Sequence, residues 1–371
     1  MSERGWWWLW MQCPGIGAVR MRQLCSAVAE APGGLKEPWR WSLPRLQKAF
    51  GWPEQVLCSF DRYRTNLGLQ PCLEVPSHVL LPCDPGWPAG FENLERPPLS
   101  IQWRGTRGLL PLLSSQQAIA VVGTRRPSSH GLRMAAGLGR ALARARWPVV
   151  SGLAEGIDAA AHRACLESGG QTVAVLGTPL HRVYPPEHRQ LQQAIADAGL
   201  LITEFRDSER VSRSSFARRN RLLAAVTKAV VVVECPQNSG ALRTAVMARS
   251  MDIPVWVVPG DALRDSAQGS NALLGSVAEP LINPQDLIQQ LGPGPGLPGS
   301  HADPGLAEDD GNTTPCTPVQ IRLLKLLNDD FSFDEMVQSL QSNPENIASE
   351  LLKLELAGRV KAQPGLRWRT L

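Results

Sequence analysis

The sequence predicts an α/β protein built on a doubly wound parallel sheet, with a small helical domain before it and a three-helix module with a β wing after it. Three observations carry that expectation. Six apolar runs of strand length alternate with helical patterns between residues 114 and 291, as in a sheet covered on both faces. The loops leaving those runs are long and polar, whereas the loops returning to them are short. Residues 292–315, GPGPGLPGSHADPGLAEDDGNTTP, cannot bury a core and read as a flexible tether.

In chain order, residues 1–70 read as helical, with turn signals at Pro14-Gly15, Pro32-Gly33-Gly34 and Gly51-Trp52-Pro53. GWWWLWMQC is too short for a membrane span or signal-peptide core and reads as a packed helix. Residues 71–113 are proline-rich with β-like pieces, HVLLP and LSIQW, and read as an extended lead-in to the sheet; 71–291 then form one domain. Strands are expected at 119–122, 148–151, 172–176, 200–203, 229–233 and 254–258. Helices are expected at 131–146, 156–168, 187–198, 217–227 and 240–250. Residues 316–371 form the last module.

Composition narrows the chemistry. Eight scattered cysteines without C-x-x-C spacing imply reduced thiols in a cytoplasmic protein, and no segment approaches membrane length. The net charge of +4 is small, but residues 206–221 hold six arginines and two acids, a local +4. Such patches steer polyanions.

In a parallel sheet the long loops, GTRRPSSHG and EFRDSERVSRSSFARRN among them, emerge at one edge, where such folds bind ligands. Helix N-termini point at that edge and add backbone donors for phosphate. Arg218, Arg219 and Arg221, at the start of an apolar helix, would join Arg125 and Arg126 there. Glu155, Asp158, Glu204 and Glu234 could pair with them but are fewer. Phe216 beside the cluster is either a base-stacking face or a hydrophobic staple at the helix start.

Three ligand classes compete for this edge. GTRRPSSHG is not G-x-G-x-x-G, and no G-x-x-x-x-G-K-[ST] is present, which disfavours a dinucleotide or nucleoside triphosphate. No G-x-S-x-G elbow or metal-spaced histidine pattern supports an enzyme. Asp158 and His162 lie four apart but read as a capping aspartate and a packing histidine; Ser151 and Ser239 read as phosphate or backbone ligands. A nucleic acid backbone needs several cations along a groove, which the arginines left free by those four acids could supply.

The segments IAVVGTRRPSSHG, VVSGLAEGIDAAAHRACLESGGQTVAVLG, VYPPEHRQL, LITEF, SFARRNRLLAAVTKAVVVVE, SGALRTAVMA, VPG and GSNALL, taken together, resemble the DNA-processing protein DprA (Smf) family over roughly residues 70–290. The resemblance implies an extended Rossmann-like fold and a non-enzymatic protein without cofactor or metal. It also implies that the protein binds single-stranded DNA and loads the RecA recombinase during natural transformation, working as a homodimer. The family is similar in fold to phosphoribohydrolases, so a nucleotide-binding or nucleotide-processing enzyme is the alternative. Its motifs fall on Gly123, Thr124 and Arg125; on Ser151, Gly152, Ala154, Gly156, Ile157 and Asp158; on Phe216, Arg219, Asn220 and Arg221; and on Ser239, Gly240, Leu242, Thr244 and Ala245. With Arg218, these imply a DNA-phosphate site. Glu155 stands where a basic residue is usual, Ala217 replaces a proline, Ala241 a Ser or Thr, and Arg243 an aliphatic residue.

The flanking modules are less specific. CPGIGAVRMRQL, 13–24, is similar to a helix-hairpin-helix turn but is read as part of a sterile-alpha-motif-like domain. In 316–371, Ser332 with Glu335 makes a capping box, Asn343-Pro344 starts the third helix and Gly358 ends it, the pattern of a winged helix (DML1-like in this family). Glu345, Glu350 and Glu355 against a single Lys353 favour protein contact or regulation over DNA for that helix, whereas Lys361, Arg367 and Arg369 make the wing basic.

Overall fold

The computed structural model describes residues 2–29, 31–276, 278–296, 318–328, 333–340, 342–356, 360–363 and 367–370. The chain forms two compact units, Met1–Gly299 and Ser300–Leu371. The expected tether lies outside the described residues from 297 onward.

In the first unit, helices α1 (Glu3–Gln12), α2 (Ala18–Val28), α3 (Lys36–Arg40), α4 (Leu43–Phe50) and α5 (Glu54–Leu67) pack around tryptophan. Trp10 is fully buried, stacks on Phe60 at 5.1 Å between ring centroids, and donates to the Leu35 carbonyl at 2.8 Å. The opening aromatic run is therefore core. In the Gly-Ile-Gly turn, Ile16 is buried and the Gly15 carbonyl accepts from Arg20 at 2.8 Å.

The sheet has nine strands: β1 (Val79–Leu80), β2 (Ile101–Gly105), β3 (Ile119–Val122), β4 (Val149–Ser151), β5 (Thr172–Val175), β6 (Leu200–Thr203), β7 (Ala229–Val232), β8 (Val255–Val257) and β9 (Glu279–Pro280). Their order is β1-β2-β6-β5-β4-β3-β7-β8-β9. All six expected strands lie in the parallel part, but the sheet is mixed. The expected lead-in contributes β1 and β2, which pair antiparallel with each other and extend the β6 edge. Two-residue β1 and the partly exposed β2 are too short and too weakly alternating to announce a pairing partner.

Along each central strand successive residues enter opposite cores. Ala120, Val122, Val150, Val230 and Val232 pack on one face, Ile119, Val121, Val149, Val231 and Val233 on the other. Both faces are covered, which is why these strands read as continuous apolar runs. Helix α6 (Leu110–Ser114) precedes β3; then follow α7 (Ser129–Arg144), α8 (Ile157–Glu167), α9 (Arg189–Ala198), α10 (Arg213–Ala225), α11 (Gly240–Ser250), the short α12 (Gln268–Asn271) and α13 (Pro284–Leu291). Helices α7, α8 and α13 cover one face; α10 and α11 cover the other. From β3 the chain steps through β4 and β5 to β6, then returns to the far side of β3 for β7 and β8. The loops after β3 and β7 thus diverge and open a crevice at the edge of the sheet.

The second unit holds α14 (Pro318–Asn328), α15 (Phe333–Leu340) and α16 (Pro344–Leu356), followed by β10 (Val360–Gln363) paired antiparallel with β11 (Arg367–Thr370). Leu323, Met336, Ile347, Leu351 and Val360 form its core. The Asn343 side chain accepts from the Glu345 amide at 3.2 Å and starts α16. Ser332 and Gly358 lie outside the described residues. Among the described residues every cysteine is free, and no helix is long and apolar enough to cross a membrane.

Candidate nucleic-acid interface

The crevice after β3 and β7 is an open trough of about 910 Å³. One wall carries Gly123, Thr124, Arg125 and Arg126; the opposite wall carries Ser239, Gly240, Arg243 and Thr244; one face of α10 crosses it with Arg213, Phe216, Ala217 and Asn220. The two walls are stapled below by Glu234. Its buried carboxylate accepts from the Ser128 amide at 3.1 Å, from the Ser128 hydroxyl at 2.7 Å and from the Ser266 hydroxyl. That carboxylate stands at the N-terminus of α7, the position at which nucleotide-binding α/β folds seat a phosphate.

Helix α10 starts at Arg213, four residues before the expected start, with Ser212 and Ser215 forming a capping box. The longer helix decides where each arginine points. Positions 213, 216, 217 and 220 share one stripe and meet the trough, which Arg219 and Leu223 also line. Positions 214, 218 and 221 turn to a second cavity of about 870 Å³.

The expectation of three unpaired arginines on one rim is therefore corrected. Arg221 pairs with the buried Glu204 carboxylate, and Arg218 lies 3.6 Å from the same group with its guanidinium over the Phe205 ring. Neither lines the trough. Arg219 is buried (5 % exposed) and donates to the Gly152 carbonyl at 2.6 Å and to the Val175 carbonyl. It faces Asp158, whose carboxylate accepts from the Gly152 and Ala154 amides at 3.1 and 3.3 Å. Burial pushes the Asp158 carboxyl up, against the pull of Arg219 and these amides. Arg219 and Asp158 together brace the loop from β4 to α8.

Other residues expected at the site make structural contacts as well. Ser151 is fully buried and donates to the Val121 carbonyl at 2.6 Å, and Thr244 is buried with its hydroxyl on the Gly240 carbonyl at 3.1 Å. Gly152 is glycine because a Cβ there would collide with the Arg219 guanidinium. Gly156, at φ +77°, caps α8 against the Thr124 carbonyl. Ser239 caps α11 by accepting from the Leu242 amide at 3.0 Å, while Asn220 bridges Arg219 to the Gly240 carbonyl.

The free charge comes from elsewhere. Arg125, Arg126, Arg213 and Arg243 are exposed in the trough, and among the described residues none of them has a side-chain ion-pair partner. Against them stand the exposed Asp265 and the already compensated Asp158. Arg243 thus adds charge to the trough, whereas Glu155 lines a small crevice beside it. Phe216 projects into the trough and packs on the half-exposed Tyr184, ring centroids 4.8 Å apart, with the Arg125 guanidinium 5.8 Å above its ring. Sequence reasoning missed Arg213 and Tyr184. The i, i+3, i+7 spacing of Arg213, Phe216 and Asn220 was the signal for the first; no sequence signal placed Tyr184.

His162 does not pair with Asp158. It is fully buried, with Nδ1 2.6 Å from the Thr172 hydroxyl, which itself donates to the Val149 carbonyl at 2.9 Å. Nδ1 therefore carries the proton, and the ring is neutral. Burial, with Arg219 and His188, pushes its pKa down to about 3. The unfolded chain takes up a proton near pH 6.5 that the folded one refuses. Its stabilising contribution is thus complete above pH 6.5 and lost as pH falls toward 3. Denaturant titrations across this window should show the acid-side slope reduced by about one proton in His162→Phe, about 1.4 kcal/mol per pH unit.

The comparisons with known proteins agree with this architecture. The family model for DNA recombination-mediator protein A matches residues 78–292, and that for the DprA winged helix domain matches residues 307–365. Protein Smf of Synechocystis is 30% identical over 99% of this chain and 99% of its own length. The crystal structure of DNA processing protein A from Streptococcus pneumoniae superposes with a TM-score of 0.65 at 25% identity, covering 78% of this chain and 99% of that one. DNA processing protein A from Helicobacter pylori, solved for its single-stranded DNA binding mode, gives 0.50 at 30% identity over 55% of this chain and 92% of that one. Sheet, wing and whole-length similarity converge: the chain belongs to the DprA (Smf) family of DNA-processing proteins.

Proposed function

We propose that the protein is a single-stranded DNA-binding recombination mediator that protects incoming DNA and loads the RecA recombinase on it during natural transformation. One observation carries the DNA reading: four exposed arginines, without ion-pair partners among the described residues, and the Phe216–Tyr184 aromatic pair line one open trough. Arginines neutralise successive phosphates, and an aromatic face stacks an unpaired base, which a duplex keeps hidden. The Helicobacter pylori relative supports the same ligand. RecA, a second copy of the chain and a cytoplasmic place of action rest on family membership.

The nucleotide-enzyme alternative is disfavoured by the groups on the edge. Glu234 fills the anion position at α7, and the hydroxyls of Ser151 and Thr244 are bound to carbonyls. Phe216→Ala tests the proposal. Affinity for oligothymidylate should fall by about 1–3 kcal/mol, roughly 5- to 150-fold, with duplex affinity unchanged. Equal losses on single strand and duplex would remove the stacking role, and no oligothymidylate binding by the unaltered protein would reject the proposal.

A further inference from the structure

Helix α7 presents an exposed basic stripe that the trough does not use. Its 16 residues, SHGLRMAAGLGRALAR, contain no acid. Arg133, Arg140 and Arg144 are separated by seven and four positions, which places them within a band of about 40° and along about 16 Å of helix. All three are exposed, and none makes a side-chain hydrogen bond or ion pair among the described residues. The contrast with α10 is informative: there Arg218 and Arg221 meet Glu204, and Arg219 meets carbonyl groups. A cation in the last turn suits the negative end of a helix dipole, which accounts for Arg144 alone. The neighbouring helix α8 exposes one arginine and one glutamate, Arg163 and Glu167, and is neutral there.

The stripe is continuous with the trough along the chain. Arg125 and Arg126 line the trough, Ser128 caps α7, and the helix then runs from the ligand edge down the flank of the sheet. We infer that a single strand leaving the trough past Arg126 continues along α7, its phosphates meeting Arg133, Arg140 and Arg144. The occupant is a polynucleotide backbone, since the stripe offers charge without an aromatic platform. The inference rests on the DNA reading of the trough proposed above.

Oligothymidylates of roughly 6 and roughly 20 nucleotides separate the two, the shorter being near the lower end of a single-groove site size. The triple variant Arg133→Gln, Arg140→Gln, Arg144→Gln should bind the short strand like the unaltered protein. Its salt slope for the long strand should fall by roughly 2, three phosphates at roughly 0.7 each. The matching triple Arg→Lys variant should restore that slope, and Arg140→Glu alone should weaken only the long strand. An unchanged long-strand slope in the Gln variant, or in Arg140→Glu should the triple variant fail to fold, overturns the inference. Failure of the unaltered protein to bind the short strand sinks the trough reading instead.

Discussion

Arg219→Met should destabilise the protein by about 3–5 kcal/mol while leaving the salt slope of DNA binding unchanged. The guanidinium is buried against two carbonyls and faces a buried Asp158 that already accepts two loop amides. Removing it leaves two carbonyls without their donor and the largely buried Asp158 carboxylate without the positive charge it faces, a loss of the costly kind for buried polar groups. Guanidinium titrations should show a lower midpoint with an unaltered m-value. The double variant Arg219→Met, Asp158→Asn should be less destabilised than the sum of its single changes, by roughly 0.5–3 kcal/mol. Unaltered stability with a slope reduced by roughly 0.7 would instead place Arg219 in water against a phosphate.

The opposite signature is expected from the trough. Replacing Arg125, Arg126, Arg213 and Arg243 together by Gln should lower the oligothymidylate salt slope by about 3, one phosphate per arginine. Affinity at low salt should fall roughly a hundredfold, since each exposed charge contributes about 0.5–1 kcal/mol. Stability should hold, because none of the four is buried or paired. Titration at several salt concentrations, with a thermal melt of the same samples, checks both halves. A slope that survives the fourfold change would mean that the strand does not lie in the trough. Arg218 and Arg221, by contrast, should affect this slope little, since Glu204 already neutralises one of their charges on the far face of α10.

Much of this was legible beforehand. Six strands and five helices of the sheet unit follow from apolar runs alternating with amphipathic ones, because a parallel strand buried on both faces has no polar side to show. The ligand edge follows as well, since every long loop in such a sheet leaves from the same end. The strands β1 and β2 lie in the β-like pieces HVLLP and LSIQW, but their antiparallel pairing escaped, because the partner across the sheet is not written in a strand's own pattern.

The order of residues alone sets the architecture and gathers arginine at one edge. Which of those arginines are free is settled by packing between distant segments. A guanidinium's availability depends on what lies within a few ångströms of it, and those neighbours come from distant segments: Glu204 lies 17 residues from Arg221, and the Gly152 carbonyl lies 67 from Arg219. Charge counted along the chain therefore led to the loop edge of the sheet but named arginines that are largely engaged. The exposed ones, Arg213 and Arg243 among them, emerged once helical phase and packing had assigned every carboxylate and carbonyl on the rim.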